Sequence, residues 1–330
     1  MQSALEQTGI PCHPVLFHDD QGQRLSREAV VEQIVPLISA GDFDLLHANS
    51  LSMSRLTGAL ADQIPVPCSG HLRDIIKLSR AANCDLNQNQ RLAAVSAATR
   101  EFHISRGLDP ARVTVCYNGV DIERFQPRPA SGVLKQQLGL APETQLCLTI
   151  GQIGLRKGQD VLAEAALKLA EQGDQRTHYL LVGERHSQKQ ESIEFDQALH
   201  DAFDRPDLKG RLHRLGYRED IPWLMNEADL LVHPAKQEPL GRVLLEAIAS
   251  GLPVVATDVG GTKEIVTHTV SALLVPPGDA GSLADAMSRV LNDPELGQSL
   301  AQAARLQSLE RFTSEQAAAR LEVFWQEVIG

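Results

Sequence analysis

Residues 228–261, ADLLVHPAKQEPLGRVLLEAIASGLPVVATDVGG, narrow the folds open to this chain more than any other stretch. The apolar run 229–233 is too short for a helix and is closed by Pro234, so it reads as a buried strand. A polar turn, 235–239, leads towards Gly241. Residues 242–250 then repeat apolar side chains at helical spacing, stop at Gly251 and are followed by Pro253. Val254, Val255 and Ala256 read as a second buried strand that runs into Gly260 and Gly261. Strand, loop, helix and strand in this order make one unit of a parallel α/β sheet. Ligands of such sheets lie beyond the carboxyl ends of the strands, where the loop 236–241 falls.

Two glutamates give this unit its chemistry. Glu238 stands in the loop and Glu246 on the helix, with seven residues between them. The amides of Leu240, Gly241 and Arg242 fall at the helix start. Backbone N–H groups there lack intrahelical partners and the dipole adds partial positive charge, so a phosphate is stabilised. Gly241 lets an anion approach the backbone closely. Glu246, a turn further on, is placed to accept from the two hydroxyls of a ribose, as acidic residues do in dinucleotide sites. Glu238 faces the group on the far side of the phosphates. A ligand built as sugar, diphosphate and ribose matches the spacing. Either glutamate taken alone is more simply a solvated surface carboxylate. A carboxylate on the apolar side of a short buried helix fits that plain reading less well.

The rest of the chain extends the same pattern. Strands are expected at 14–18, 44–48, 66–69, 92–96 and 113–117, and helices at 27–40, 54–64, 74–82 and 97–106, which is the alternation of a parallel sheet flanked by helices. Residues 125–132, rich in helix breakers, make the best linker. The pattern then restarts with strands at 146–151, 178–183 and 212–215 and helices at 160–172, 189–203 and 220–228. A strand at 272–275, the break Pro276-Pro277-Gly278 and helices at 282–291, 296–309 and 313–328 complete it. With 330 residues there is room for about two domains. Residues 1–127 and 128–312 are therefore assigned to two Rossmann-like domains, with the last helix, 313–330, expected to pack back on the first. Residues 1–9 read as the tail of a helix running straight into the first strand. The usual opening strand and glycine-rich turn are missing, so the chain is expected to be shortened at its N-terminus.

Composition removes several classes of function. The chain has 31 basic and 42 acidic side chains and a net charge of -11, against the basic footprint of a nucleic-acid binder. Only 4% of residues are aromatic, too few for a carbohydrate module built on stacked rings. The five cysteines are scattered without metal-type pairs, and are expected to be small core residues in a reducing compartment. No signal peptide or long apolar run is visible, so the expected location is cytoplasmic, with room for peripheral membrane contact but no spanning segment.

Three further groups could carry chemistry. The loop GQIGLRKG, 151–158, lacks the Gly-Lys-Ser/Thr order of a phosphate-binding Walker loop. It still puts Arg156 and Lys157 at the carboxyl end of a strand, where fixed positive charge can neutralise a departing diphosphate without a metal. Lys157 is the stronger candidate of the two; two exposed basic residues in a turn is the plain alternative. His71, in CSGHLRD, is expected just beyond a strand, where it would meet a sugar hydroxyl or a developing charge. A structural histidine is the plain alternative there. Asp42-Phe43-Asp44 precedes its strand and reads as a turn, and no histidine spacing suggests a metal site.

In this order, the segments SGHLRD, VSAATR, VCYNGVDIERF, GQIGLRKG, HPAKQEPLGRVLLEA, SGLPVVATDVGGTKEIV and LLVPPGD resemble the retaining glycosyltransferases of the GT-B fold, family 4. The resemblance implies two Rossmann-like domains facing each other across a cleft. It also implies a metal-independent hexosyltransferase that uses a UDP- or GDP-linked sugar, needs no cofactor and serves glycan or glycoconjugate biosynthesis. The acceptor implied is a sugar, a lipid-linked sugar or a small molecule. By the same resemblance Glu238 holds the donor sugar, the Leu240 and Gly241 amides meet the diphosphate, and Arg242 lies beside them. Glu246 binds the ribose, Lys157 the phosphates, and His71 the sugar near its reacting carbon. Gly216 and Tyr217 meet the base. Gln152 stands where the family usually has an arginine. Two other readings are a shortened, inactive sugar-nucleotide-binding protein and a sugar-nucleotide epimerase of similar architecture.

Overall fold

Short strands of three to six residues, most of them apolar, build the larger of two parallel sheets. A computed structural model describes residues 2–330, with side chains from residue 5. Its strands are β1 Leu46–Ala48, β2 Cys68–Leu72, β3 Arg91–Ala94, β4 Val113–Val115, β5 Gln145–Ile150, β6 Thr177–Val182, β7 Leu212–Gly216, β8 Leu230–His233, β9 Val254–Thr257 and β10 Leu273–Val275. The first four lie in the order β1-β2-β3-β4 and the other six in the order β10-β9-β8-β5-β6-β7. Among the described residues no helix is long and apolar enough to cross a membrane.

The six-stranded sheet is buried on both faces, as parallel sheets are. Successive side chains of one strand enter opposite cores. Cys147, Tyr179, Leu181, Leu230 and Val232 join one cluster, while Leu146, Leu148, Leu180, Val182 and Leu231 join the other. Helices Gln159–Glu171 and Ala280–Asn292 supply the first cluster, and helix Arg242–Ala249 the second. The segment 125–132, the expected linker, is irregular and lies within the larger of the two compact units. It is tied down by Glu227, whose carboxylate accepts from the backbone and hydroxyl of Ser131 and from Leu134 N.

The chain divides into two compact units. One comprises Met1–Ala93, Ile104–Thr114 and Val323–Gly330; the other comprises Ala94–His103 and Val115–Glu322. Within the first, β2 is buried along its whole length. Asn89 braces the helix Leu51–Ala59 from a fully buried position, accepting from Thr57 Oγ1 at 3.0 Å and donating to Ser54 O at 2.8 Å. The last residues of the C-terminal helix, Ser314–Ile329, contribute Phe324 and Trp325, whose rings stand edge-on to His47.

Three expectations fail in the first unit. Residues 14–18 form no strand. The backbone of Leu16 exchanges hydrogen bonds with the side chain of Gln33 instead, and only an isolated bridge joins His18 to Arg24. Residues 74–79 are irregular, and the helix is Arg80–Asn87, because Ser79 takes an extended backbone and accepts from Ala82 N as its cap. His71 lies within β2 rather than beyond it, since the buried strand continues to Leu72. The cysteines are all free, with Cys68, Cys116 and Cys147 buried but Cys84 exposed.

Candidate active site

β5 and β8 are neighbours in the sheet, paired through Cys147 and Leu230, so the turns that follow them emerge side by side. The turn after β5 ends in the 3-10 helix Leu155–Lys157. The loop after β8 is joined to it where Lys236 N donates to the Arg156 carbonyl at 2.8 Å. Thr257 Oγ1 donates to the Ala235 carbonyl and fixes the loop from β9. These bonds bring Lys157 and Glu238 into contact.

Lys157 Nζ lies 2.7 Å from Glu238 Oε2, and His233 Nε2 lies 2.9 Å from the same oxygen. An ionised carboxylate only accepts, so His233 donates from Nε2. Burial works to raise the Glu238 pKa, but the bond and charge of His233 and the charge of Lys157 outweigh it and hold the carboxyl at about 2. The carboxylate is thus ionised and fixed. No hydrogen bond among the described residues falls on Oε1, which can accept one from a ligand.

The helix Arg242–Ala249 begins at Gly241, whose φ of +101° suits glycine, and no side chain caps it. A Cβ at Gly241 would stand 3.5 Å from Glu238 Cγ, so the glutamate lies against the helix start. Leu244 N and Leu245 N both bond to the Gly241 carbonyl. The amides before them have no acceptor inside the helix and are directed at its open end.

Glu246 is held quite differently. Burial raises its pKa, and Arg242 and Arg124 offset this only in part. Its ion pair with the exposed Arg242 is a long one, at 3.5 Å. It lines a cavity of about 610 Å³ together with Asp121, Arg124, Tyr217, Glu219 and Arg242. Glu238 and Lys157 are not among the residues that line it.

The other expected residues fall as follows. Gly216 ends β7, and Tyr217, 70% exposed, stands on the cavity rim with its N–H 3.3 Å from Glu184 Oε1. Leu240 is buried in the core, so only its backbone is available to a ligand. Gln152 and Arg156 are exposed. His71 belongs to the first unit. Burial, with Arg73 and His47 nearby, pushes its pKa down to about 3, so the ring is neutral. Among the described residues neither of its nitrogens has a hydrogen-bond partner.

A family model for group 1 glycosyl transferases matches residues 132–307, more than half of the chain. The chain belongs to the group 1 glycosyl transferases. A model for glycosyltransferase family 4 matches residues 3–124. Over 98% of its length this glycosyltransferase superimposes on Anabaena Alr3699/HepE in complex with UDP and glucose, with a TM-score of 0.86, 29% identity and 88% of that chain covered. Its fold is therefore GT-B, α/β with two Rossmann-like domains, as the sequence led us to expect.

Curated relatives share the class. A UDP-Gal:alpha-D-GlcNAc-diphosphoundecaprenol alpha-1,3-galactosyltransferase from Escherichia coli is 27% identical over 79% of this chain and 69% of its own length. A D-inositol 3-phosphate glycosyltransferase from Jonesia denitrificans is 30% identical over 84% of this chain and 70% of its own. This protein is a glycosyltransferase that uses nucleotide-sugar donors.

Sequence reasoning missed two residues of the candidate site. His233 reads only as the last residue of the apolar run that Pro234 closes, although a polar residue ending a buried strand five positions before Glu238 is a usable signal. Arg124 lies just before the expected linker, and no sequence pattern singles it out. It lines the cavity and faces Glu246.

Proposed function

We propose that the chain is a metal-independent, retaining glycosyltransferase acting on a UDP-linked sugar, with the donor held in the second unit. The fixed Lys157–Glu238–His233 cluster beside an uncapped helix start carries this reading. The diphosphate sits on the amides of Gly241 and Arg242, and Lys157 adds the positive charge that a departing diphosphate requires. Glu238 Oε1 accepts from a hydroxyl of the donor sugar. Glu246 accepts from the ribose, and the exposed ring of Tyr217 borders the space for the base.

The acceptor oxygen attacks the anomeric carbon on the face from which the diphosphate leaves. The carbon–oxygen bond to the phosphate breaks as the new one forms, and the acceptor's proton passes to the leaving phosphate. Configuration is retained because both events share one face. UDP is favoured because the E. coli relative is named for UDP-Gal and the Anabaena structure holds UDP. Relatives named for a diphosphate-linked sugar and for inositol 3-phosphate support an acceptor that is lipid-linked or a small phosphorylated molecule.

The test is to mix the protein with UDP-glucose or UDP-galactose and either acceptor type, without added metal, and to read the product anomer by NMR. An α-linked product is expected. A β-linked product would refute retention, and UDP binding without turnover would make this a sugar-nucleotide-binding protein.

A further inference from the structure

The loop 238–241 is gripped a second time, by residues distant in sequence. Ser96 and Thr99 are fully buried and stand at the start of the helix Ala97–Ile104. Ser96 Oγ accepts from Thr99 N at 2.9 Å and donates to the Pro239 carbonyl, and the Thr99 hydroxyl lies 3.3 Å from the same oxygen. Pro239 directly follows Glu238.

Glu264 completes the arrangement from the short helix Thr262–Ile265. Its carboxylate accepts from Ala97 N at 2.7 Å and Ala98 N at 2.8 Å, one on each oxygen, and from the Tyr117 hydroxyl at 2.8 Å. Burial, together with this bond to Glu264, pushes the Tyr117 pKa up to about 12, so the phenol stays a donor. At the other end of the same segment, Gly261 N donates to the Glu238 carbonyl at 3.0 Å. A Cβ at Gly261 would stand 2.5 Å from the Pro239 carbonyl oxygen and 3.1 Å from Ser96 Cβ, so a side chain there would push the three segments apart. All of these residues belong to the second unit.

We propose that Glu264 is a positioning residue for sugar transfer. It caps the helix Ala97–Ile104 and, through Ser96, fixes the backbone that carries Glu238 and Gly241. The inference rests on the donor-site reading above. Both carboxylate oxygens are in use, and all three partners are donors. Glutamine could satisfy only one side, and its amide would turn a donor towards a donor. Aspartate is shorter by one methylene and would not reach. The helix already has a cap in Ser96, so a second, charged one does more than end the helix: it holds Ser96 in register with Pro239. Small displacements of groups that orient a substrate lower rates by as much as about 100-fold.

The test compares Glu264→Gln, Ser96→Ala and the double variant of the full chain by kcat, donor KM, melting temperature and amide hydrogen exchange. The expected result is a kcat about tenfold to 100-fold lower for each single variant in folded protein. The double variant should be no worse than Glu264→Gln alone, because the two residues act in one chain. Amides of the loop 238–241 should exchange faster while those of β5 and β8 keep their protection. Tyr117→Phe, which leaves both backbone bonds to Glu264 in place, should lose less than either. An unchanged kcat, or losses that multiply in the double variant, would overturn the proposal. If the wild-type chain proves unable to transfer sugar, the donor-site reading fails, and unchanged exchange in the loop then overturns the positioning role as well.

Discussion

Glu238 and Glu246 stand on one loop and the helix that follows it, yet the protein has prepared them in opposite ways. Glu238 is buried between two donors and kept ionised with a pKa of about 2. Glu246 is half-buried without an equivalent, and its pKa is raised, desolvation being the largest cause. The first is already held through one oxygen by two donors. The second borders an open cavity and is left wanting donors that a ribose would bring. A fixed charge suits the group that faces chemistry, because preorganised electrostatics need no rearrangement during reaction. An under-satisfied carboxylate suits recognition, because a ligand that supplies the missing bonds gains from them.

The largest effect should come from breaking the prepared cluster. Lys157→Ala and Glu238→Ala are each expected to lower kcat by about 100-fold to 1,000-fold, measured by UDP release. Both variants should still fold, though Glu238→Ala leaves Lys157 half-buried without its partner. Near-native rates in both would remove the comparison altogether.

Glu246→Gln should separate binding from stability. Loss of a charged acceptor is expected to weaken UDP binding about tenfold or more in a calorimetric titration. The free protein should melt at a higher temperature near pH 7, because a carboxylate ionised against its environment is gone. A lower melting temperature would show that Glu246 is already satisfied.

The two carboxyls should also pull acid stability in opposite directions. Glu238 has its pKa lowered, so its contribution is full above the ordinary glutamate value of about 4.5 and is lost as pH falls towards 2; it amounts to about 3 kcal/mol. Glu246 has its pKa raised, so its contribution is full below the ordinary value and fades as pH rises through the folded one. Denaturant titrations between pH 2 and 7 should therefore show Glu238→Gln losing its deficit in acid and Glu246→Gln losing its advantage there. The smallest effect should come from Arg242→Ala. Its exposed pair with Glu246 is worth about 0.5 kcal/mol, and the melting temperature should barely move.

Most of the second unit was legible in the sequence because its strands are short, largely apolar and mostly ended by or followed by glycine or proline. The helix Arg242–Ala249 begins where its sequence pattern begins. The first unit was less legible where side chains take over backbone bonding. Gln33 occupies the backbone of Leu16, and Ser79 moves a helix start past Ile75 and Ile76. At the site, Lys157 and Glu238 could be named from their loops, since both follow apolar runs. Their contact depends on β5 and β8 lying side by side, which no local pattern states. Glu264 was invisible for the same reason: its partners Ala97 and Ala98 lie 167 and 166 residues away. Long-range polar pairing leaves no periodic trace.

The division of labour between the two glutamates can be tested by titrating UDP and its 2′-deoxy and 3′-deoxy forms into wild-type protein and Glu246→Gln. Wild-type protein should lose about tenfold in affinity for at least one deoxy form, and the variant should bind all three alike. If the variant discriminates as strongly as wild type, the ribose does not rest on Glu246, and the donor is not held in the manner described.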